Sequence, residues 1–580
     1  MEKPTLPKGT RDFGPAVMAK RQYILDNIKK VFQKFGFQPL ETPAMENLST
    51  LTGKYGDEGD QLLFRVLDSG EFFEKLKSKV TGVKLKQLEE MLLVAISRLS
   101  QIIASSYPNL KPIDAKIIRN EVMHNAKEYN LIPVGTDENN VILEEFLKQE
   151  SMFIPYVALH ILERVKQNSN ADLLMELNTI YGKDISFILT DFLSNYYLAK
   201  QSSKSVIPSI TEKGLRYDLT VPFARYVVMN RHEIAFPFKR YQVQPVWRAD
   251  RPQKGRYREF YQCDADVVGT TSLVCEAEII LMIKEVMANL NVKDFTIKIN
   301  HRSVLNGVAE VIGGGGKETD LFVAIDKLDK IGEEKVREEL TTKGFAPKSL
   351  DTLFSILKQT GSNSDKLNYL SIQFRSSESG QKGTKDLTEV FGLLKGFGND
   401  DKNVELDIAL ARGLSYYTGC IFEVKINNVG IGSISGGGRY DNLTASFGDK
   451  ENLSGVGFSF GVDRMYDALE ELNIFPKEAQ VSSKILICHF DEESMKFGLK
   501  ALAAFRKAGI SSELYPDQAK LKKQLDYANK KLIPYTVVIG GDEMKSGQLA
   551  FKNMESGEQE KLTIEQIVKK IGGHVERTNQ

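Results

Sequence analysis

The stretch Lys239–Gly269 constrains the fold of this chain more than any other part of the sequence. Two runs of alternating residues are separated by a charged, turn-rich loop around Gly255. This pattern predicts two antiparallel strands joined by the loop. In the second strand, alternation places five polar or aromatic residues on one face: Arg258, Phe260, Gln262, Asp264 and Asp266.

A face of this composition is costly to bury, because it carries a guanidinium, an aromatic ring, an amide and two carboxylates. The loop adds the cations Arg251, Lys254 and Arg256. The combination suits a polyanion lying on a sheet, with a small cationic or amine-bearing ligand beside it. Taken alone, the same residues would also fit a solvated charged hairpin.

Composition narrows the class of protein. The 580 residues are enough for roughly three to five domains. The formal net charge is zero, so any nucleic-acid binding must use local patches. The four cysteines have no CxxC spacing and the six histidines form no HExxH pair, which argues against disulfides and a zinc site. With no membrane-length apolar run and no signal peptide, we expect a cytoplasmic protein.

A second group of chemical motifs lies further along the chain. Val404–Glu423 contains ARGLSYYTG between two predicted strands. Ser435–Asp441 (SGGGRYD) is interpreted as a tight glycine turn that lets a ligand approach the backbone. Gly455–Arg464 predicts a strand entering a helix with Arg464 near its start, which is a suitable anion site.

Common nucleotide-binding motifs are absent. The chain has neither GxxxxGK[ST] nor GxGxxG in the right context, and Gly313–Gly316 is better explained as a helix-end turn. The HIGH and KMSKS signatures are also missing. A P-loop or a Rossmann turn is therefore not expected to bind a nucleotide in this chain.

These motifs together resemble those of class II aminoacyl-tRNA synthetases, and specifically of histidyl-tRNA synthetases. The predicted helix 16–35, followed by Gly36 and an extended segment to Pro43, looks like motif 1. Lys239–Gly269 resembles motif 2 and Gly455–Arg464 resembles motif 3. ARGLSYYTG and SGGGRYD are similar to the two histidine-specific signatures. Two positions depart from the family: Asp250 replaces a glutamate and Ser415 an aspartate.

The resemblance implies that ATP, with bound Mg²⁺, activates L-histidine to histidyl-adenylate, which then charges tRNA(His). Arg248 would hold the α-phosphate, with Arg412 as the second catalytic arginine. Phe260 would stack on adenine, and Arg464 would face the far side of the nucleotide. The other residues implied for ATP binding are Asp250, Arg256 and Arg258.

The family's histidine-binding residues also have counterparts. Asp218, Thr220 and Gln262 would hold the amino and carboxylate groups. Asp266 and Tyr417 would bind the ring nitrogens, and Tyr416 and Tyr440 would close the pocket. A pocket that satisfies both ring nitrogens rejects other amino acids strongly enough to need no editing.

The implied architecture is α+β, with an antiparallel catalytic sheet in three parts (1–70, 212–300 and 404–476). A helical insertion is expected at 301–403 and an α/β anticodon-binding domain at 482–580. Residues 71–211 are predicted to form another helical insertion, of unknown role, between a strand at 61–68 and a partner strand at 214–221. On that partner strand, Arg216, Asp218 and Thr220 would share a face. We expect a homodimer that does not bind membranes.

Two alternatives are open at this stage. One is a non-catalytic relative that serves as regulatory subunit of ATP phosphoribosyltransferase, although such a protein would be expected to lose the basic motif 2 loop and the C-terminal domain. The other is a different class II synthetase, such as the prolyl or threonyl enzyme; Arg412 and Gly436, within the histidine-specific signatures, argue against it.

Overall fold

The computed structural model describes residues 3–70, 84–106, 109–111, 153–167, 211–411, 416–448, 452–476 and 483–572, with scattered positions between 115 and 210. The chain forms two compact units. The larger comprises Met1–Phe64 and Leu215–Gln580, and the smaller comprises Arg65–Gly214.

The secondary structure is mixed. In chain order the described strands are β1 Gln38–Pro39, β2 Met45–Asn47, β3 Arg65–Val66, β4 Lys213–Leu215, β5 Phe238–Trp247, β6 Glu259–Val268, β7 Phe295–His301, β8 Val404–Leu406, β9 Cys420–Ile426, β10 Ser435–Tyr440, β11 Gly455–Gly461, β12 Ile485–His489, β13 Ser512–Leu514, β14 Tyr535–Ile539, β15 Leu549–Asn553 and β16 Gln559–Leu562. The described α-helices are α1 Pro15–Lys34, α2 Leu48–Leu51, α3 Gly56–Gln61, α4 Lys84–Ser106, α5 Phe153–Gln167, α6 Thr220–Met229, α7 Val274–Asn289, α8 Arg302–Val311, α9 Glu318–Asp326, α10 Leu328–Ile331, α11 Glu333–Thr342, α12 Pro347–Leu357, α13 Asn363–Gln373, α14 Glu378–Gly396, α15 Val462–Glu471, α16 Glu492–Lys507, α17 Leu521–Lys530, α18 Gly541–Ser546 and α19 Ile564–Gly572.

The larger unit is built around an eight-stranded sheet in the order β1-β5-β6-β11-β10-β9-β7-β8. The predicted strand–loop–strand is confirmed as the antiparallel pair β5·β6, in which Gln244 lies opposite Gln262. The inner pairs of the sheet are antiparallel, whereas the edge pairs β1·β5 and β7·β8 are parallel.

The two faces of β6 have different surroundings. Cys263, Ala265 and Val267 belong to the main hydrophobic core, which also contains apolar residues of α1 and α7. The intervening Gln262, Asp264 and Asp266 line a cavity on the other face. The alternation predicted from the sequence therefore separates core from site along this strand.

Helix α1 confirms the predicted N-terminal helix. It begins at Pro15, the favoured first position for proline, and ends at Lys34. Gly36 follows with φ of 82°, a left-handed conformation that favours glycine after a helix. Ile24, Ile28 and Phe32 of this helix are buried, so its apolar stripe covers the central sheet.

The glycine-rich segment SGGGRY forms strand β10 rather than the expected turn. It pairs antiparallel with both β9 and β11. A Cβ atom at Gly437 would lie 2.2 Å from the Gly457 carbonyl oxygen, and one at Gly438 would lie 2.7 Å from that of Cys420. Gly437 and Gly438 are therefore needed because the backbone of the neighbouring strands approaches too closely to leave room for a side chain.

The predicted helical insertion 301–403 is formed by α8–α14. Its apolar residues are continuous with the main core. Gly313 and Gly316 have φ of 70° and 79° after the end of α8, which confirms the helix-end turn predicted there.

The smaller unit contains a helical core. Helices α4 and α5 contribute most of its buried apolar side chains, such as Leu92, Ile96 and Val157. Its ends meet in the antiparallel pair β3·β4, where Arg65 lies opposite Gly214. The predicted pairing is thus confirmed, but both strands are shorter than expected. The sequence also predicts helices at 113–129 and 173–200, and these ranges fall mostly outside the described residues.

Residues 483–572 form the predicted small α/β domain. Its sheet has the order β13-β12-β14-β15-β16, in which β13, β12 and β14 are parallel and the last two strands are antiparallel. The predicted strands and helices are present, and β16 is an additional strand. Ile487, Phe505 and Val537 lie in its own hydrophobic core.

Two further properties concern the described part of the chain. All four cysteines are free and buried. Among the described residues, no helix combines the length and apolarity needed to cross a membrane.

Candidate active site

A cavity of about 370 Å³ opens over the polar face of the central sheet. Strands β6, β9, β10 and β11 contribute its floor, while the β5–β6 loop and the start of α15 contribute its rim. The predicted site residues that line it are Asp218, Thr220, Arg248, Asp250, Arg256, Phe260, Gln262, Asp266, Tyr416, Tyr417, Tyr440 and Arg464.

Two predicted residues are not placed in this cavity. Arg258 does not line it; its Nε donates to the Asp250 carbonyl at 3.0 Å, and its backbone N–H donates to the Gly9 carbonyl at 2.9 Å. Arg258 lies just before the first residue of β6. The alternation of side chains along β6 therefore does not predict its orientation. The N-terminal segment contacts it through Gly9. Arg412 lies outside the described residues, although the adjoining Ala411 and Tyr416 are described.

Arg248 and Phe260 form a cationic and aromatic wall. The Arg248 guanidinium carbon lies 5.2 Å from the Phe260 ring centroid and 4.3 Å from that of Tyr217. Its Nε donates to the Tyr217 carbonyl at 3.1 Å. The guanidinium is therefore oriented before any ligand binds, a favourable arrangement for stabilising developing negative charge.

Arg464 occupies the first turn of α15, as its sequence position predicted. Its Nε donates to the Gly255 carbonyl at 2.6 Å and a terminal nitrogen donates to the Ser433 carbonyl at 2.7 Å. These bonds connect the helix start to the β5–β6 loop and to the segment between β9 and β10. The neighbouring Asp463 is 2% exposed and accepts from Arg21 at 2.6 Å and from the Tyr261 N–H at 2.9 Å.

The outer rim is more exposed. The Arg256 side chain is 49% exposed and lies 3.6 Å from the Asp250 carboxylate. Both line the cavity. An exposed pair at this distance adds little stability, so Arg256 is available to a ligand.

The opposite end of the cavity is acidic and begins at Asp218. One carboxylate oxygen accepts from the Tyr55 hydroxyl at 3.0 Å and the Val221 N–H at 3.1 Å. The other accepts from the Tyr416 hydroxyl at 2.9 Å. Burial raises the pKa of Asp218, partly offset by these donors.

The expected strand at 214–221 is wrong beyond its first residues. β4 ends at Leu215, Asp218 lies in the following bend, and Thr220 is the first residue of α6. Arg216 faces elsewhere and donates to the Thr42 and Pro245 carbonyls. Asp218 and Thr220 nevertheless both reach the cavity.

Asp266 lies at the far end of β6 and is 2% exposed. It accepts from the Tyr440 hydroxyl at 2.8 Å, and its other oxygen lies 2.7 Å from the Arg240 guanidinium. Burial raises its pKa, while Arg240 opposes that shift. Strand geometry thus brings this carboxylate to the floor as predicted.

Three tyrosines cover the acidic end. The Tyr416 ring lies edge-on to Tyr417 at 5.0 Å and to Tyr440 at 6.1 Å between centroids. Burial raises the pKa of all three hydroxyls, so they are neutral hydrogen-bond donors at neutral pH. Near them, Gln262 donates to the Ser459 hydroxyl at 2.6 Å and accepts from Arg248 at 3.4 Å.

Sequence reasoning missed three residues that shape the acidic end. Tyr55 and Arg240 hold Asp218 and Asp266 without an obvious local motif, and their contacts form only in the fold. Asp264 had been placed on the correct face of β6, yet no role was assigned to it. It lines the cavity between Gln262 and Asp266.

The cavity combines guanidinium groups and an aromatic ring at one end with buried carboxylates and hydroxyls at the other. Such a site can hold a nucleoside polyphosphate next to a compact cationic ligand.

Comparison with known proteins agrees with this arrangement. The family model described as "Histidyl-tRNA synthetase" matches residues 204–465, and that described as "Anticodon binding domain" matches 481–574. Histidine--tRNA ligase of Cytophaga hutchinsonii is 46% identical over 98% of this chain and 100% of its own length. The protein of the same name from Phocaeicola vulgatus is 43% identical over 98% of both chains.

A solved structure of a histidyl-tRNA synthetase is also similar to this chain. The histidyl-tRNA synthetase of Nostoc sp. PCC 7120 has a TM-score of 0.67 and 25% identity, over 99% of this chain and 100% of that one. The alignment with the C. hutchinsonii protein covers 98% of this chain. It must therefore include most of the segment 71–211. That segment is consequently shared with the C. hutchinsonii protein. The fold is that of a class II aminoacyl-tRNA synthetase, and this chain belongs to the histidyl-tRNA synthetase family.

Proposed function

We propose that this chain activates L-histidine with ATP and transfers the histidyl group to tRNA(His). The observation that carries the proposal is one cavity with Arg248 and Arg464 at one end and Asp218 and Asp266 at the other. Histidine carries an ammonium group and ring N–H groups for the acidic end. Its carboxylate would then point towards the nucleotide.

The cationic end is assigned to ATP. Arg248 would bind the α-phosphate, Phe260 would stack on adenine, and Arg464 would face the opposite side of the nucleotide. Asp250 and Arg256 would complete the rim. Arg412 is proposed as the second catalytic arginine. Arg258 is assigned a packing role because it does not line the cavity and its Nε donates to the Asp250 carbonyl.

The acidic end is assigned to histidine. Asp218, Thr220 and Gln262 would hold the amino and carboxylate end, while Asp266 and Tyr417 would bind the ring nitrogens. Tyr416 and Tyr440 acquire a more specific role. Their hydroxyls already donate to Asp218 and Asp266, so they position those carboxylates as well as close the pocket.

The chemistry follows from this placement. A histidine carboxylate oxygen forms a bond to the α-phosphorus as the bond to the bridging oxygen breaks and pyrophosphate leaves. A hydroxyl of the terminal ribose of the tRNA then attacks the acyl carbon and releases AMP. Two anions meet in the first step, so oriented guanidinium groups lower its barrier. Mg²⁺ would enter as part of MgATP and add positive charge at the phosphates.

The proposal extends to domains and assembly. Segments 1–70, 212–300 and 404–476 would form the catalytic domain, with insertions at 71–211 and 301–403. Residues 482–580 would bind the anticodon. We also propose a cytoplasmic homodimer. The regulatory-subunit alternative is not favoured, because the basic residues of the β5–β6 loop and the C-terminal domain are both present.

The test is ATP–pyrophosphate exchange with each of the twenty amino acids supplied in turn. Histidine alone should support exchange, and preference for another amino acid would contradict the proposal. A chain truncated after residue 481 should retain part of the exchange activity while charging tRNA(His) poorly. Equal charging by truncated and full-length protein would contradict the anticodon-domain assignment.

A further inference from the structure

Asp264 lies on the cavity floor, between Gln262 and Asp266 on strand β6. On the cavity face, three cross-strand rows run from β5 through β6 to β11. Directly opposite residues in antiparallel strands share a face. The rows are Arg240–Asp266–Gly457, Gln242–Asp264–Ser459 and Gln244–Gln262–Gly461. Asp264 thus lies between the residues assigned to the two ends of histidine.

Asp264 is one of several buried polar groups here that lack a full set of partners. Its Oδ1 atom is buried and has no hydrogen-bond donor among the described residues, and the whole residue is 2% exposed. Asp266 accepts from Tyr440 and is ion-paired with Arg240, although its Oδ2 atom and the Nε and Nη1 atoms of Arg240 also lack a hydrogen bond among the described residues. Across the strand, Gln242 Oε1 is also buried without a described donor.

A proton on Asp264 would resolve both deficiencies. A carboxylic acid donates one hydrogen bond, and the Gln242 amide oxygen can accept one. Directly opposite residues have Cβ atoms about 4.5–5.5 Å apart, which is within reach of these two side chains. A protonated Asp264 would therefore supply Gln242 Oε1 with a donor, whereas the carboxylate leaves two buried acceptors on one cross-strand pair.

The surrounding groups have opposing effects on the pKa of Asp264. Burial and the nearby Asp266 and Asp218 carboxylates raise the pKa of Asp264 to about 7, while Arg240 and the Ser459 hydroxyl oppose the shift. Arg240 is already paired with Asp266. The groups that face Asp264 or act on it are Arg240 and Gln242 from β5, Gln262, Cys263 and Asp266 from β6, Ser459 from β11, Arg216 and Asp218 before α6 and Tyr417 before β9.

We propose that Asp264 is a specificity-determining carboxyl group that gives up a proton when the cationic amino acid binds. In the free protein its proton is shared with Gln242; in the complex it is a third carboxylate that attracts the substrate's positive charge. The proton passes to solvent. This inference rests on the proposed function and goes beyond it, because it makes histidine affinity depend on pH through the protein.

The expected pH dependence follows from the sign of this linkage. The ionised form of Asp264 binds the cation, so affinity should rise with pH through the pKa of the free protein and level off above it. With a pKa of about 7, the ionised fraction changes about tenfold between pH 6 and pH 8. Histidine affinity should change by a similar factor through this group.

The experiment is calorimetric titration of histidine into the full-length protein in buffers of different ionisation enthalpy. Wild type at pH 7 should release up to about half a proton through this group. Asp264→Asn should abolish this component and weaken histidine binding about tenfold or more at pH 8. The weakening should shrink towards pH 6, and the KM for ATP should not change.

A matched control is Glu259→Gln, which removes one negative charge from the same strand at an exposed position outside the cavity. It should behave as wild type. The imidazole of free histidine titrates in the same pH range, so the decisive quantity is the difference in proton release between wild type and Asp264→Asn. Equal proton release by the two proteins would overturn the inference. A pH-independent difference between Asp264→Asn and wild type would also overturn it. Complete absence of histidine binding would instead refute the proposed function itself.

Discussion

Arg240 and Asp266 form a buried ion pair beneath the cavity floor, with a guanidinium nitrogen 2.7 Å from a carboxylate oxygen. Their side chains are 0% and 2% exposed. Arg240 also donates to the Leu219 carbonyl at 3.1 Å and lies over the Phe223 ring at 4.2 Å. A carboxylate assigned to histidine is thus held by an arginine that does not itself line the cavity.

Replacing Arg240 with methionine should destabilise the protein strongly, because the Asp266 carboxylate would remain buried without its counterion. Breaking one partner of a buried pair costs about 3–5 kcal/mol. Urea denaturation at pH 7.5 measures the change in the free energy of unfolding. The control is Lys239→Met, which removes the partly exposed pair with Glu278 and should cost about 1 kcal/mol or less. Equal decreases in the free energy of unfolding of the two variants would show that the buried Arg240–Asp266 pair contributes no more stability than the partly exposed pair.

Arg248→Ala and Arg258→Ala should have different effects, although both arginines were predicted to bind ATP. Arg248 lines the cavity with an oriented guanidinium, and its loss should lower kcat for adenylate formation about 10²–10³-fold. Arg258 bonds to the Asp250 carbonyl, so its loss should alter kcat far less. Histidine-dependent pyrophosphate exchange measures both. Comparable defects would mean that Arg258 reaches the nucleotide after all.

Asp264→Asn should stabilise the protein at alkaline pH. A carboxyl group whose folded pKa is raised from 3.8 to about 7 stabilises the fold while protonated, and that contribution disappears as pH rises through about 7. Asparagine resembles the neutral acid and does not titrate. The variant should therefore be more stable than wild type by roughly 2–4 kcal/mol at pH 8, with the difference vanishing near pH 4.

Unfolding free energies measured from pH 5 to pH 8 check this dependence. Glu259→Gln again serves as the control, since its exposed carboxylate should leave the curve unchanged. An Asp264→Asn curve parallel to that of wild type would contradict the expected titration.

Residues 72–210 should be removable without loss of the catalytic fold. Strands β3 and β4 pair at the two ends of this segment, and its helices bury a hydrophobic core of their own. A short Gly-Ser linker in its place costs little closure entropy. The shortened protein should retain cooperative melting and histidine-dependent exchange. Aggregation or complete inactivity would show that the catalytic domain depends on the segment.

The amino-acid sequence by itself determined the local periodicities and the motifs. Alternation along 259–268 identified the residues of β6 that face the cavity, because side chains of a strand alternate between its faces. The apolar spacing of 16–35, with Gly36 after it, predicted α1 for equally local reasons. The motif residues that resembled a known family supplied most of the candidate site.

Only the tertiary structure decided which side chains meet. Asp218 and Thr220 reach the cavity from a bend and a helix start, and SGGGRY is a strand because β9 and β11 flank it on both sides. The backbone N–H of Arg258 donates to the carbonyl of Gly9, a residue that is distant in sequence. The pairing of Asp266 with Arg240 and the unpaired oxygen of Asp264 depend on the register between strands. Register is a relation between distant segments, so local residue patterns do not contain it.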